Sequence, residues 1–485
     1  MALERGYALL HSAEDGKQLH GDERHDLNVR SDSMESIDRE VHSDAPSCLP
    51  RGSLVTSVWV LMSVSLGMGV FVQPKVVARM GYMLGTGIIF LFALITNYSQ
   101  ILLLKVINLE YEHSGKKYTS FSEVSKDLLG QAGLIANCLT MTLTCLVANA
   151  GHLATATQML HDIICWYFTG TYNYPFHAGQ RFVILWLLCG FILPFCISSS
   201  DLHSLRYIST TSVTVCMILA VSVMFLAIQR LINHGVADGA AYVPAFHGDF
   251  SDTLSGAAAI CFAYSSVINV VSINRDIQES KRTKAVEEIN NYSKKSMLSV
   301  SLASSVCCVF YASLSLLCVL AWGNLCANNN GNILYLFPAN DYWITFWCFA
   351  LVIAVTLLYP IINVPMVNNL ETLVMIVVNE PPRKATGCTA FAIRNRRAII
   401  SMIGMAVVIF LDTLVTDLAD IFGLCGSLGL GMVSMILPAL LALKNRHRLP
   451  TRDWFGASFV LIIGLVVTFG SSTSIIMDLI AHSGK

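Results

Sequence analysis

The chain is 485 residues long, 54% hydrophobic and only 13% charged, against about 25% charged in an average soluble domain. Its mean hydropathy is +0.60, which excludes an ordinary soluble protein and points to a chain that crosses a membrane many times. A formal net charge of -1 and a pI near 6.9 leave no basic surplus for nucleic acid.

Residues 1–52 are rich in Ser, Asp, Glu, His and Arg and have no apolar period, so they are expected to form a disordered cytosolic tail. Within it Tyr7, Ala8, Leu9 and Leu10 fit a loose Tyr-x-x-apolar sorting pattern. His20, His25 and Asp26 read as a solvated cluster rather than a metal site.

Apolar stretches of about 20 residues, the length that crosses about 30 Å of hydrocarbon, fall at 54–80, 83–106, 132–158, 181–199, 207–229, 252–273, 297–322, 341–368, 397–413, 418–443 and 454–479. The expectation is an all-α polytopic membrane protein of eleven transmembrane helices, occupying 53–480. Residues 118–130 read as a short amphipathic helix on the membrane surface before the third span. Basic residues follow the even-numbered spans: Lys116, Lys117 and Lys126 after the second, Arg275, Lys281, Arg282 and Lys284 after the sixth, Lys444, Arg446 and Arg448 after the tenth. The segments 323–341 and 412–420 on the other side carry none. Because positive loops stay cytoplasmic, the N-terminus is expected in the cytosol and the C-terminus on the opposite side.

Most of the fifteen cysteines lie in the spans as small hydrophobes. Only Cys165 and Cys326 fall in expected outer loops, where an oxidising medium permits a bond, so a Cys165 to Cys326 bridge is the pairing these positions allow.

The first span contains SLGMGVFVQP, Ser65 to Pro74. Each Gly disfavours a helix interior by about 1 kcal/mol and Pro by about 3, so a break is expected there. Irregular backbone at membrane depth is tolerated where it lines a cavity or is buried in protein. Five spans later the sixth span carries Ala263, Tyr264, Ser265 and Ser266, a small polar interruption near its middle. Two interruptions five spans apart are what a five-plus-five inverted repeat with broken first and sixth helices leaves, with the eleventh span extra and peripheral. A small-residue packing seam would account for Gly67 and Gly69 alone; the matching interruption favours breaks.

These motifs, in this order, resemble the amino acid/auxin permease family of the amino acid, polyamine and organocation superfamily. The stretch from Gly52 to Gly87 resembles that family's first span, with Gly81 and Tyr82 where it carries a Gly-aromatic pair. Ser198 to Thr210 fits its loop before the fifth span, Tyr359 to Leu373 its Pro-rich eighth span, and Phe422 to Leu443 its tenth. Gln73 departs from the pattern, standing where Leu usually precedes the proline.

The resemblance implies secondary active amino acid transport by alternating access. It places the substrate carboxylate on the backbone N–H groups of Gly67, Met68 and Gly69, beside Ser65, and the amino group and side chain against Ala263, Tyr264 and Ser265. Asn149 and His152 on the third span are candidates to face the cavity, with Asn149 a substrate contact. His152 titrates near physiological pH and is a candidate for a coupling proton. Thr356 and Asn363 on the eighth span are the other coupling-ion candidates, Thr356 with first-span carbonyls as a sodium site. Proton coupling is preferred, on the resemblance. Ser427 on the tenth span either lines the path or packs.

No acid lies in the middle of the first, third, sixth or tenth span, and Glu371, Asp412 and Asp417 sit near span ends, where they read as interfacial and solvated. Neutral amino acids are therefore favoured over arginine or lysine. No cofactor or metal is expected, and the loops carry no HExxH, His-rich box or GxSxG of a membrane enzyme. A transporter-like nutrient sensor remains the alternative from a different class. The plasma membrane and an endolysosomal or vacuolar membrane both fit the sequence.

Overall fold

The computed structural model describes residues 52–67, 69–169, 178–198, 206–238, 242–246, 249–279, 286–327, 333–336, 342–378, 395–414, 422–475 and 477. The expected N-terminal tail with its sorting pattern and His20, His25 and Asp26, together with Met68 and Asp417, lies outside the described residues.

The first expected span is two helices, α1 (Leu54–Ser65) and α2 (Gly69–Met80), bent by 54° at the break between them. The break is at the glycines and not at the proline. Leu66 leaves the helical region at φ -80, ψ 51, while Pro74 lies inside α2. A proline removes one backbone donor, and α2 continues through that gap.

The next four spans are α3 (Tyr82–Ser114), α4 (Phe121–Thr169), α5 (Ala178–Ser198) and α6 (Arg206–His234). The expected surface helix before the third span is the first part of α4, joined to the rest at Gly130, whose φ of 78 and ψ of -163 belong to a region that only glycine adopts without strain. The helix runs well past the expected end at 158. Gln158 donates to Asp162 at 3.3 Å and His161 meets Gln180 of α5 at 3.3 Å, so His161 and Asp162, past the expected end, are buried and partnered inside a longer helix.

The sixth span is again two helices, α7 (Phe250–Ala263) and α8 (Val267–Glu279), parted at Tyr264, whose φ of -97 and ψ of 39 end α7. It is the most enclosed span, with 89% of its most apolar window buried against 28% for α5. The remaining spans are α9 (Val286–Trp322), α10 (Tyr342–Val378), α11 (Arg396–Leu414), α12 (Phe422–Lys444) and α13 (Thr451–Ile475). Nine described helices are long and apolar enough to cross a membrane, ten with the bent pair α1 and α2 counted as one; α11 stands at the ninth expected span, carrying Arg396, Arg397 and Asp412. The two broken spans are the first and the sixth, five apart.

The outward faces of α5 and α13 carry Phe182, Trp186 and Leu187, and Phe455, Phe459 and Ile462, each more than half exposed. In water such a surface would drive aggregation; here it is the lipid face. Inside, α12 brings Gly426 against the Ala258 carbonyl of α7 and Gly429 against Thr144 of α4, where a Cβ would overlap the neighbour. This close approach is the usual route to packing where the solvent is as apolar as the side chains.

One expectation is corrected. Asp412 is not interfacial: it is fully buried, and Arg181 donates to its carboxylate at 2.9 and 3.2 Å and to its carbonyl at 2.8 Å. The pair ties α5 to α11, and burial of the carboxylate is balanced by a guanidinium with three bonds to the same residue. Glu371 likewise pairs with Arg396 across the connection between α10 and α11. The bridge that the positions of Cys165 and Cys326 allow is not formed. Cys165 Sγ lies 3.3 Å from His161 Nε2, and Cys326 Sγ lies 3.5 Å from the Cys318 carbonyl oxygen, within its own chain neighbourhood.

Candidate functional site

A broken helix at membrane depth leaves backbone groups that must find partners, and here the two breaks supply them to each other. Ser265 Oγ donates to the Val64 carbonyl at 2.9 Å. A Cβ on Gly69 would sit 3.6 Å from Ala263 Cα and 3.7 Å from the Phe262 ring, so the start of α2 lies directly against the end of α7. The rest of the second break is held by α3: Tyr264 Oη donates to the Ile89 carbonyl at 3.2 Å, and Ser266 Oγ exchanges bonds with the Gln100 amide at 2.9 and 3.2 Å.

The tyrosine that sequence reasoning missed stands between the breaks. Tyr311 of α9, fully buried, places Oη 2.6 Å from the Ser65 carbonyl oxygen and 2.9 Å from the Ala263 carbonyl oxygen. Its ring meets that of Tyr264 edge-on with centroids 5.4 Å apart. Tyr311 sits in an unremarkable apolar run, VFYASL, and no pattern in the chain singles it out.

His152 of α4 faces the first break. A Cβ on Gly67 would come within 3.3 Å of His152 Nε2, and Nδ1 lies 2.6 Å from the Ala148 carbonyl oxygen. A carbonyl only accepts, so Nδ1 carries a hydrogen and Nε2 is the ring atom presented to the break. Phe422 of α12 packs edge-on against this imidazole at 6.4 Å and stacks on Phe262 at 4.6 Å, closing an aromatic wall behind the site. One turn earlier on the same face of α4, Asn149 is fully buried with neither amide atom hydrogen-bonded among the described residues.

The two eighth-span candidates make their hydrogen bonds to residues outside the breaks. Thr356 Oγ1 donates to the Val352 carbonyl of its own helix at 2.6 Å, and Asn363 Nδ2 donates to Ser401 Oγ of α11 at 3.1 Å. Ser427 packs, its hydroxyl 3.2 Å from the Leu424 carbonyl oxygen. Gln73, the departure from the family pattern, is buried and reaches the Ala259 carbonyl of α7 at 3.5 Å, so it ties α2 to the sixth span.

A cavity of about 120 Å³ reaches Asn269 and Ser272, just beyond the second break, walled also by Ser122, Asn368 and Asn369. A wider cleft of about 810 Å³, lined by Glu123, Lys126 and Thr372, shares its walls. Both lie at the end of the bundle that carries the Lys-rich loop after the second span. At the other end, the space between Val76, Gly256 and Ile475 is about 10 Å³.

A search of curated proteins finds no match to this chain. The model of the family described as transmembrane amino acid transporter protein matches residues 50–480, which takes in every span and both breaks. The chain is a multi-pass membrane protein that belongs to the transmembrane amino acid transporter family.

Proposed function

We propose that the chain is a secondary active carrier of neutral amino acids, coupled to protons, working by alternating access around the two breaks. The observation that carries this reading is the meeting of Gly67, Gly69 and Ala263 beside the inward-facing Nε2 of His152. The first N–H groups of a helix have no intrahelical acceptor and carry the positive end of its dipole, so the start of α2 suits the substrate carboxylate. A protonated Nε2 adds a charge-assisted bond to that carboxylate. Proton and substrate then favour each other's binding, which is the thermodynamic requirement for coupling. Ala263, Tyr264 and Ser265 take the amino group and side chain.

Three further observations support the finer choices. The Val64 and Ser65 carbonyls already accept from Ser265 and Tyr311, so a sodium ion there would compete with a donor on each, which favours the proton. None of Leu66, Gly67, Tyr264, Ser265 and Ser266 is charged, and the buried Asp412 is matched by Arg181, which favours a neutral substrate. With the Lys-rich loops in the cytosol, the cavity beyond Asn269 opens inward, as a carrier in its inward-facing form requires. Uptake of radiolabelled amino acids into proteoliposomes, with and without a pH gradient and with sodium replaced, tests the reading. Saturable uptake of neutral amino acids that collapses with the pH gradient and ignores sodium is expected. Binding without any uptake would overturn it in favour of a sensor.

A further inference from the structure

The C-terminal ends of α1 and α7 converge on one side chain. Each helix end exposes carbonyls and carries about half a negative charge from its dipole, so two like partial charges meet at mid-membrane depth, the Ser65 carbonyl 2.6 Å and the Ala263 carbonyl 2.9 Å from the same hydroxyl. Such a pair of acceptors attracts a cation. What fills the place in this chain is the neutral Oη–H of Tyr311, whose single hydrogen is shared between two carbonyls from different broken spans.

We infer that Tyr311 is a positioning residue for the substrate site, holding the two breaks in register through the carbonyls of Ser65 and Ala263. This rests on the carrier reading above. Its hydroxyl is assigned no contact with the substrate itself; it acts through the carbonyls of Ser65 and Ala263, two residues of the proposed substrate site and the ones that end α1 and α7. The N–H groups of Gly67 and Gly69 come two and four residues after Ser65 in the chain, so the angle at which they face the substrate depends on where that carbonyl is held. The edge-on contact with Tyr264 keeps the ring from rotating away. Without the hydroxyl, two buried acceptors lose their donor and the breaks part or rotate to find others.

The test is a KM measurement on purified protein in proteoliposomes. Tyr311→Phe removes only the oxygen and is expected to raise KM for a transported amino acid about tenfold. The control is Tyr359→Phe in α10, an equally buried tyrosine whose hydroxyl has no hydrogen-bond partner among the described residues; its KM is expected to match wild type. A purely structural role would lower the thermal stability of Tyr311→Phe and leave KM where Tyr359→Phe leaves it, and that result overturns the inference. p-Aminophenylalanine incorporated at position 311 supplies two N–H donors, one for each carbonyl, and is expected to restore the wild-type KM. Should Tyr311→Phe fail to accumulate in the membrane, this form carries the test alone, and a KM raised tenfold in it overturns the inference. Wild-type protein that takes up no amino acid overturns the carrier reading and this inference with it, whereas transport by wild type with an unchanged KM in Tyr311→Phe overturns the inference alone.

Discussion

Gly67 and Gly69 are separated by one residue, yet the structure predicts opposite outcomes for the same substitution. A methyl group on Gly67 would lie 3.3 Å from His152 Nε2, between the imidazole and the approach to the first break. Gly67 is not among the glycines with positive φ, so alanine suffers no backbone strain there and the effect is one of access alone. Blocking the contact between Nε2 and a bound carboxylate removes one hydrogen bond to a charged group, about 2 kcal/mol, or about 30-fold in KM at 1.4 kcal/mol per tenfold. On Gly69 the same methyl meets Ala263 and Phe262 at 3.6 to 3.7 Å, ordinary contact, and the N–H is kept. Gly69→Ala is therefore expected to transport within about threefold of wild type, helped by the roughly 1 kcal/mol that alanine adds to helix formation. The assay is initial-rate uptake of a neutral amino acid into proteoliposomes under an inward proton gradient, with each variant quantified by immunoblot. Equal losses in the two variants would refute the placement of the carboxylate between α2 and His152.

Uptake by wild type should be strongest at acid pH on the substrate-entry side and fall as pH rises, by up to about tenfold per unit once the imidazole is neutral; His152→Gln should flatten this profile and raise KM, and a profile left intact in that variant would assign the proton elsewhere. Asp412→Ala removes the carboxylate that the Arg181 guanidinium meets at a fully buried position, at about 3 kcal/mol, and should lower the melting temperature in detergent, with Arg181→Leu in the same chain recovering most of the loss; an additive double variant would show the pair to be energetically silent. Gly130→Ala meets no neighbour within 4 Å but must hold φ at 78, so strain alone, about 1 to 3 kcal/mol, should reduce stability while KM stays unchanged.

What was legible in the chain follows from what is local. Span positions are set by runs of apolar residues, and the interruptions fall at Gly67, which has no side chain, and at Tyr264 to Ser266, where polar residues gather. Span ends were less legible. His161 and Asp162 lie past the expected end of the third span at 158, yet each finds a partner inside the bundle, so α4 runs on to Thr169. Asp412 looked interfacial because its partner, Arg181, lies far away in sequence and on another span. Thr356 donates its hydrogen to the Val352 carbonyl and Asn363 donates its amide to Ser401, partners on α10 and α11 that only the packing of the bundle reveals.

The position of the first break shows why Gly outweighed Pro in a stretch that contains both. Proline at position six of α2 removes a single donor, and its neighbour Gln73 carries a side chain that reaches the Ala259 carbonyl across the interface, so the helix is held on that face while it passes the gap. At Gly67 nothing equivalent holds the helix: there is no side chain to pack, and the carbonyls released just before it, those of Val64 and Ser65, are captured by Ser265 and Tyr311 from two other helices. A break persists where outside donors satisfy the freed backbone better than the helix itself would. By that reasoning the break belongs to the donors as much as to the glycines: replacing Gly67 with a helix former leaves Ser265 and Tyr311 still competing for those carbonyls, whereas a chain lacking both donors would gain by closing α1 onto α2.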